Sequence, residues 1–316
     1  MSIVKSYSFP NGENRGDMFY IQHNSKNFTI IDCFLKEGSN PDCRKDEILS
    51  ELQKMSEGRI KRFISTHPDN DHICGLEFLD DCFKISNFYA VENKRPVDGD
   101  NPSFVRYSNL KKECNFEIYA KRERAYLNKG GMLKNGKKIG PSGISFLWPF
   151  LQDEEFKKAL ENVNAGHDGA CVNNISPIIT YSTNNRYKFM WMGDMLSGMQ
   201  EEFLSYYRKH RRIIPHVDVL FHPHHGRITA QIPKKLIEEM NPQVIVIGNA
   251  PAGDLDYLNA DITITQNTAG DILFDNEGNL IHVFTQKTPI KMPYCLKKIS
   301  NHSHHEGFVY QGSICK

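Results

Sequence analysis

The stretch Ser65–Leu79, STHPDNDHICGLEFL, gathers His67, Asp69, Asp71 and His72 into six consecutive positions. Aspartate and histidine are weak formers of helix and strand interiors, so local folding gives no reason for such a cluster. Asp71 alone could cap a helix beginning near His72. A cap accounts for one aspartate and leaves the alternation of imidazole and carboxylate unexplained. Those are the side chains that bind divalent cations.

Further ligand-type residues close other apolar runs. FMWMGDM ends in Gly193 and Asp194, VLFHPHHGRIT carries His222, His224 and His225, and FTIIDCF carries Asp32. If these runs are strands of one sandwich, their ends can meet on one edge. Five or six nitrogen and oxygen donors there would suit two divalent ions roughly 3.5–4 Å apart. Asp194 is the natural bridge, because one carboxylate can span both. Asp69, Asp71 and Asp194 beside three imidazoles, with no cysteine thiolate among them, suit Mn²⁺ about as well as Zn²⁺. Such ions lower the pKa of a bridging water and polarise a substrate oxygen. Asp32 reads as a carboxylate that orients a ligand rather than as a turn residue. Adjacent on a strand end, His224 and His225 should point apart, so both are not assigned to one ion. His222 has the alternative of a buried strand residue. His167, in NAGHDGAC, has that of an exposed loop histidine.

The elements that must position these residues follow from periodicity. RIKRFIST reads as a buried strand delivering the cluster, and HICGLEFLDD as the helix after it. MFYIQ and NFTIIDCFL read as a hairpin, and DCRKDEILSELQKMSE as an amphipathic helix with apolar residues at 48, 49, 52 and 55. GISFLWPF is a strand; SPIITYS and YKFMWMGD are two strands joined at TNN. Helix GMQEEFLSYYRKH, strand VDVLFH, helix PKKLIEEM, strands QVIVIG and DITIT, and hairpin DILFDNEGNLIHVF complete the pattern. Two halves, each a mixed sheet followed by helices, predict an α/β fold, a four-layered α/β/β/α sandwich.

Residues 1–286 read as one domain. Within it 83–142, with the basic runs KKECNFEIYAKRER and KNGKKIG, is a variable segment over one edge. Residues 287–316 read as a peripheral tail, since Cys295, His302, His304, His305 and Cys315 match no zinc-knuckle spacing. With 316 residues, 39% hydrophobic and 24% charged, the chain is an ordinary globular one, and its net charge of +1 argues neither for nor against nucleic acid, which only a local patch could favour. No apolar run approaches the length of a membrane span, and MSIVKSYSFP has no apolar signal core. Eight scattered cysteines without a C-x-x-C pair point to reduced thiols. The expectation is a cytoplasmic protein with no membrane partner.

In this order the residues resemble the metallo-β-lactamase superfamily, whose second motif is H-x-H-x-D-H; here it reads HPDNDH, with Asp69 in place of the middle histidine. That variant is similar to the free-standing ComEC-type competence hydrolase domain. RGDMFYIQ resembles the branch's opening G-D strand, NNISPIITYS its N-x-S strand, FMWMGD its T-G-D and PHHGRIT its H-H-G-S, the likeness covering about residues 12–285. The resemblance implies His67, Asp69, Asp71, His72, Asp194 and His224 as metal ligands for two divalent ions, and Asp32 as a supporting aspartate. Asp71, His225 and Arg227 are assigned catalytic roles. The third-motif histidine has no counterpart; Asn173 and Asn174 stand near its place. The serine of H-H-G-S is replaced by Arg227.

The implied activity is metal-dependent hydrolysis, of phosphodiesters first: a phosphodiesterase or nuclease using a metal-bridging hydroxide, with a nucleotide or nucleic-acid substrate. Cyclic or small-nucleotide hydrolysis, lactone or thioester hydrolysis, and a metal-poor binding module are the alternatives. Asp69 weighs against the lactone or thioester class, which belongs to the histidine-rich branch. Arg227 follows two site histidines and could hold a phosphate. Arg208, Lys209, Arg211 and Arg212 read first as a solvated helix end.

Overall fold

Parity along each strand decides which of two apolar layers a side chain joins. Ile3, Tyr20, Phe28, Ile30, Phe63 and Phe88 fall into one buried cluster; Val4, Phe19, Ile21, Ile31, Ile64 and Tyr89 fall into another. A sheet apolar on both faces needs cover on both. The computed structural model describes residues 2–10, 16–24, 27–56, 60–96, 99–120, 142–183, 186–256, 259–289 and 291–316, and it supplies that cover.

The first half contains β1 (Ser2–Ser6), β2 (Phe19–Gln22), β3 (Phe28–Ile31), the two-residue β4 (Cys33–Phe34), β5 (Arg62–Ile64), β6 (Phe88–Ala90) and β7 (Asn115–Glu117). Between them run α1 (Lys45–Ser56), α2 (Asn70–Ile73), α3 (Leu76–Phe83) and α4 (Pro102–Cys114). The second half contains β8 (Ile144–Trp148), α5 (Glu154–Asn164), α6 (Ala170–Asn174), β9 (Ile178–Thr183), β10 (Tyr187–Trp191), α7 (Ser197–Lys209), β11 (Val219–Phe221), α8 (Lys234–Met240), β12 (Val244–Ile247), β13 (Thr263–Thr265), α9 (Gln266–Ala269), β14 (Ile272–Glu277), β15 (Leu280–Thr285) and β16 (Val309–Cys315).

The larger sheet has the order β16-β15-β14-β1-β2-β3-β5-β6-β7, and the smaller β13-β12-β11-β10-β9-β8. They meet face to face: the Phe19 ring lies 4.9 Å from Phe221, and Phe189 lies 5.6 Å from Phe274, both edge-on. Each such buried aromatic contributes on the order of 1.5–3 kcal/mol through burial. Ile48 and Leu52 of α1, Leu76 and Leu79 of α3, and Tyr107 of α4 cover the outer face of the larger sheet. On the other side Trp148 packs edge-on against Phe156 of α5 and Phe203 of α7. The layers are the expected α/β/β/α sandwich.

Three segments differ in detail from the sequence reading. HICGLEFLDD forms two short helices rather than one, because Gly75 turns the chain with φ +76° and a Cβ there would press on Leu35. Segment 83–142 supplies β6 and β7, which extend the edge of the larger sheet in parallel. Its basic stretch at 121–141 lies outside the described residues. Residues 287–316, read as a tail, lay β16 along β15 and bury Ile314 in the core. Among the described residues no helix is long and apolar enough to cross a membrane.

Candidate metal centre

β3 runs parallel to β5, and β10 parallel to β11, so the ends of these strands collect on one rim. Asp32 follows β3, His67 follows β5, Gly193 and Asp194 follow β10, and His224 and His225 follow β11. Asp17 precedes β2, whose first residue pairs with the last of β3. Gly193 adopts φ +51°, and a Cβ there would stand 2.7 Å from Ser176 Oγ and 2.8 Å from Thr66 Cβ. Glycine is thus required for Asp194 to enter the cluster.

Asp32 is buried behind the cluster. Its carboxylate accepts from Thr66 N–H at 2.7 Å, Thr66 Oγ1 at 2.7 Å and His72 Nδ1 at 2.8 Å. Because the Thr66 hydroxyl proton goes to Asp32, Thr66 Oγ1 accepts from His67 Nδ1 at 3.0 Å. Ser176 Oγ lies 3.3 Å from the same nitrogen. His225 Nδ1 donates to Asp17 at 3.1 Å, and His224 Nδ1 lies 2.9 Å from Thr229 Oγ1. All four imidazoles are therefore backed at Nδ1 and present Nε2 forward, the arrangement by which outer partners orient ligating histidines.

The forward atoms face one another around Asp194. His72 Nε2 is 3.2 Å from Asp194 Oδ1, His225 Nε2 is 3.5 Å from Oδ2, and His224 Nε2 is 3.7 Å from Oδ2. His225 Nε2 is 3.4 Å from Asp71 Oδ2, and His67 Nε2 is 3.6 Å from Asp69 Oδ2. Despite these distances, His67 Nε2, His72 Nε2, His225 Nε2 and Asp194 Oδ1 are buried without an aligned hydrogen bond. Four such atoms in one place carry a large desolvation cost unless something else satisfies them. Donor atoms of Asp71, His72, Asp194 and His225 all lie within 4.8 Å of one another and could hold a metal ion. Ligands at 2.0–2.1 Å around a tetrahedral ion stand about 3.3 Å apart, close to the separations found here. The donors fit a divalent cation.

Electrostatics points the same way. Burial opposes a charge on His72, yet Asp194, Asp71 and Asp32 hold its pKa well above the ordinary value. Burial likewise opposes charge on His225, while Asp17 and Asp194 push it up to about 10. Burial raises Asp194, but His72 and His225 outweigh it and hold the carboxyl well below the usual range. The carboxylates draw positive charge into the cluster, whether proton or metal.

No protein-family model matches the chain, and no curated protein matches its sequence. Solved structures do. The chain is similar to Igni18, a metallo hydrolase from Ignicoccus hospitalis, with 13% identity over 87% of this chain and 100% of that one, TM-score 0.43. It is similar to the metallo-β-lactamase fold protein YhfI from Bacillus subtilis, with 12% identity over 78% and 85%, TM-score 0.39. It is also similar to CmlA, a diiron β-hydroxylase from Streptomyces venezuelae, with 11% identity and TM-score 0.44. It covers 78% of itself but only 44% of CmlA, under half of that chain. Likeness at these values says nothing of chemistry, which rests on the donors.

Every residue proposed from the sequence as a ligand stands on this rim. Asp69 is set apart, because its Oδ1 is taken by Arg95 at 2.6 Å. His225, given a catalytic role from sequence, joins Asp71, His72 and Asp194 in the tightest group, and His224 stands further out. His224 and His225 do not point apart. They lie on a turn with positive φ at both residues rather than on a strand, and both rings reach Asp194. His222 is engaged by Asp256 at 3.3 Å, and His167 is exposed. Asn174 accepts from Leu196 N–H at 3.1 Å. Arg227 is half-buried, with its Nε buried and unpartnered. Arg208 pairs with Glu239 at 2.6 Å, at the far end of α7. Asp17, Thr66, Ser176 and Arg95 were missed as supporting residues. The G-D and N-x-S motifs held the signal for Asp17 and Ser176; Arg95 had none.

Proposed function

We propose that the protein is a metal-dependent hydrolase of the metallo-β-lactamase superfamily, acting on phosphodiesters as a phosphodiesterase or nuclease. The observation that carries this reading is the set of four imidazoles backed at Nδ1, three of which, His72, His224 and His225, converge at Nε2 on buried Asp194, while His67 Nε2 faces Asp69. Asp71, His72, Asp194 and His225 hold one divalent cation; His67, Asp69, His224 and the shared Asp194 offer a second position. A divalent cation there lowers the pKa of a water and polarises the scissile group. Mn²⁺ and Zn²⁺ both suit the mixed donors.

The remaining roles belong to the chain's own groups. Asp32, Asp17 and Thr66 fix the imidazole tautomers. Arg227, beside His224, holds an anionic oxygen of the substrate through its guanidinium fork. Its buried, unpartnered Nε supports that reading.

The test is turnover of a generic aryl phosphodiester, DNA, RNA and cyclic nucleotides by metal-stripped protein, with and without Mn²⁺ or Zn²⁺, alongside a lactone and a thioester. Metal-dependent cleavage of a phosphodiester is expected. Cleavage of the lactone or thioester alone would transfer the protein to the other hydrolase class. No metal-dependent turnover of any substrate would leave a binding module.

A further inference from the structure

Arg95 is unlike a surface arginine. Its Nη1 donates to Asp69 Oδ1 at 2.6 Å and also to the Pro68 carbonyl, and its Nη2 donates to Asp168 Oδ1 at 2.6 Å. The guanidinium lies 5.0 Å from the centre of the Phe104 ring, and the side chain is 14% exposed. The two residues before it are pinned. Asn93 bonds Tyr107 Oη at 3.1 Å, and Lys94 N–H donates to Asn164 at 2.5 Å. A full positive charge is thus fixed on one carboxylate of the cluster.

The two candidate cation positions differ in this respect. Among the described residues no lysine or arginine bonds Asp71, His72, Asp194 or His225, whereas Asp69 carries Arg95 on one oxygen and turns the other toward His67 at 3.6 Å. Building on the metal-dependent reading above, we infer that Arg95 is a fixed counter-charge to Asp69 that makes the two positions unequal. The position of Asp71, His72, Asp194 and His225 binds its cation tightly. The position of His67, Asp69 and His224 binds weakly.

Two effects oppose each other at Arg95. It orients Asp69, and outer contacts of that kind are worth about 10- to 100-fold in metal affinity. It also repels a divalent ion held by the other oxygen of Asp69, a repulsion that Asp168, 75% exposed, offsets only in part, and at an effective dielectric of about 20 the remainder is larger. Repulsion therefore decides. Asp69 and Arg95 together carry no net charge, like the neutral imidazole that the commoner form of the motif has at position 69.

The experiment is calorimetric titration of the metal-stripped full chain with Mn²⁺ and, separately, Zn²⁺. Wild type should take one cation tightly and a second at least about tenfold more weakly, or not at all within the titration. Arg95→Gln should tighten the second by at least about tenfold and leave the first within about threefold. Arg95→Lys retains the charge and should keep the wild-type order, so an equal gain in Lys and Gln would overturn the inference. Two equal sites in wild type, or a second site unchanged or weaker in Arg95→Gln, would also overturn it. Wild type and Arg95→Gln both limited to one cation would refute the second position and leave the metal reading standing. No cation bound by wild type would remove both.

Discussion

Two buried aspartates stand at strand ends of the sandwich, Asp271 before β14 of the larger sheet and Asp194 after β10 of the smaller one, and are treated in opposite ways. Asp271 precedes β14, whose first residue pairs with Ser6, and Ser6 pairs with Phe19 beside Asp17. Its carboxylate accepts from Arg44 at 2.6 and 3.0 Å and from Ser8 N–H at 2.8 Å, and it pairs with Lys5 at 3.1 Å. Lys5 also pairs with Glu51, and Asn249 and Gln266 bond the neighbouring backbone. Asp194 has three imidazole nitrogens around it, those of His72, His224 and His225, and no aligned hydrogen bond at Oδ1. Strand ends collect polar groups in any sandwich. A site differs from a structural cluster in whether the donors are used up within the protein.

The comparison can be broken most severely at Asp194. Asp194→Ala should lose cation binding at both positions, and with it at least about a thousandfold in kcat/KM, some 4 kcal/mol of transition-state stabilisation. Full metal content in that variant, by elemental analysis, would end its role as the shared carboxylate.

Asp271→Asn should do the reverse. It leaves Arg44 and Lys5 buried with weakened partners and should cost about 3–5 kcal/mol in denaturant unfolding, with cation affinity of the folded protein unchanged. Burial raises the Asp271 pKa, but the Arg44 fork and Lys5 outweigh it and hold it below the ordinary value. A lowered carboxyl adds stability above its unfolded pKa, about 3.9, and loses it as pH falls through the lower folded value. The variant should therefore lose part of the stability drop seen below about pH 4. A stable variant with disturbed metal binding would reverse the two assignments.

Smaller effects sharpen the site side. Arg227→Ala should leave metal content intact and cost about 2–3 kcal/mol, roughly 30- to 150-fold in kcat/KM on a phosphodiester, with Lys restoring only part. Unimpaired phosphodiesterase activity would return Arg227 to the solvated charges. Asp69→His should shift selectivity toward Zn²⁺ by a modest factor, because imidazole is the softer donor. Unchanged Mn²⁺/Zn²⁺ preference in competition titrations would place Asp69 outside the donor set.

Much of the layering was legible because the apolar runs MFYIQ, NFTII and YKFMW, and the stripe at 48, 49, 52 and 55, are local signals. β6 and β7 were not, since three-residue strands carry little pattern, nor was β16, whose VYQGSIC is broken by polar residues and a glycine. HPDNDH, GD and HHG marked the rim for the same local reason. Which histidine stands nearest Asp71 was not legible, because backbone torsions at His224 and His225 set it, and strand geometry gives the wrong directions there. Arg95 lies 26 residues from Asp69 in a segment without periodicity, so only the folded chain brings them together.

The most direct measurement is anomalous diffraction at the Mn or Zn edge from crystals grown with that metal. A peak is expected among Asp71, His72, Asp194 and His225, about 2.0–2.2 Å from His72 Nε2 and His225 Nε2. A cluster closed by water or by its own hydrogen bonds, with no anomalous peak there at saturating metal, would contradict the account.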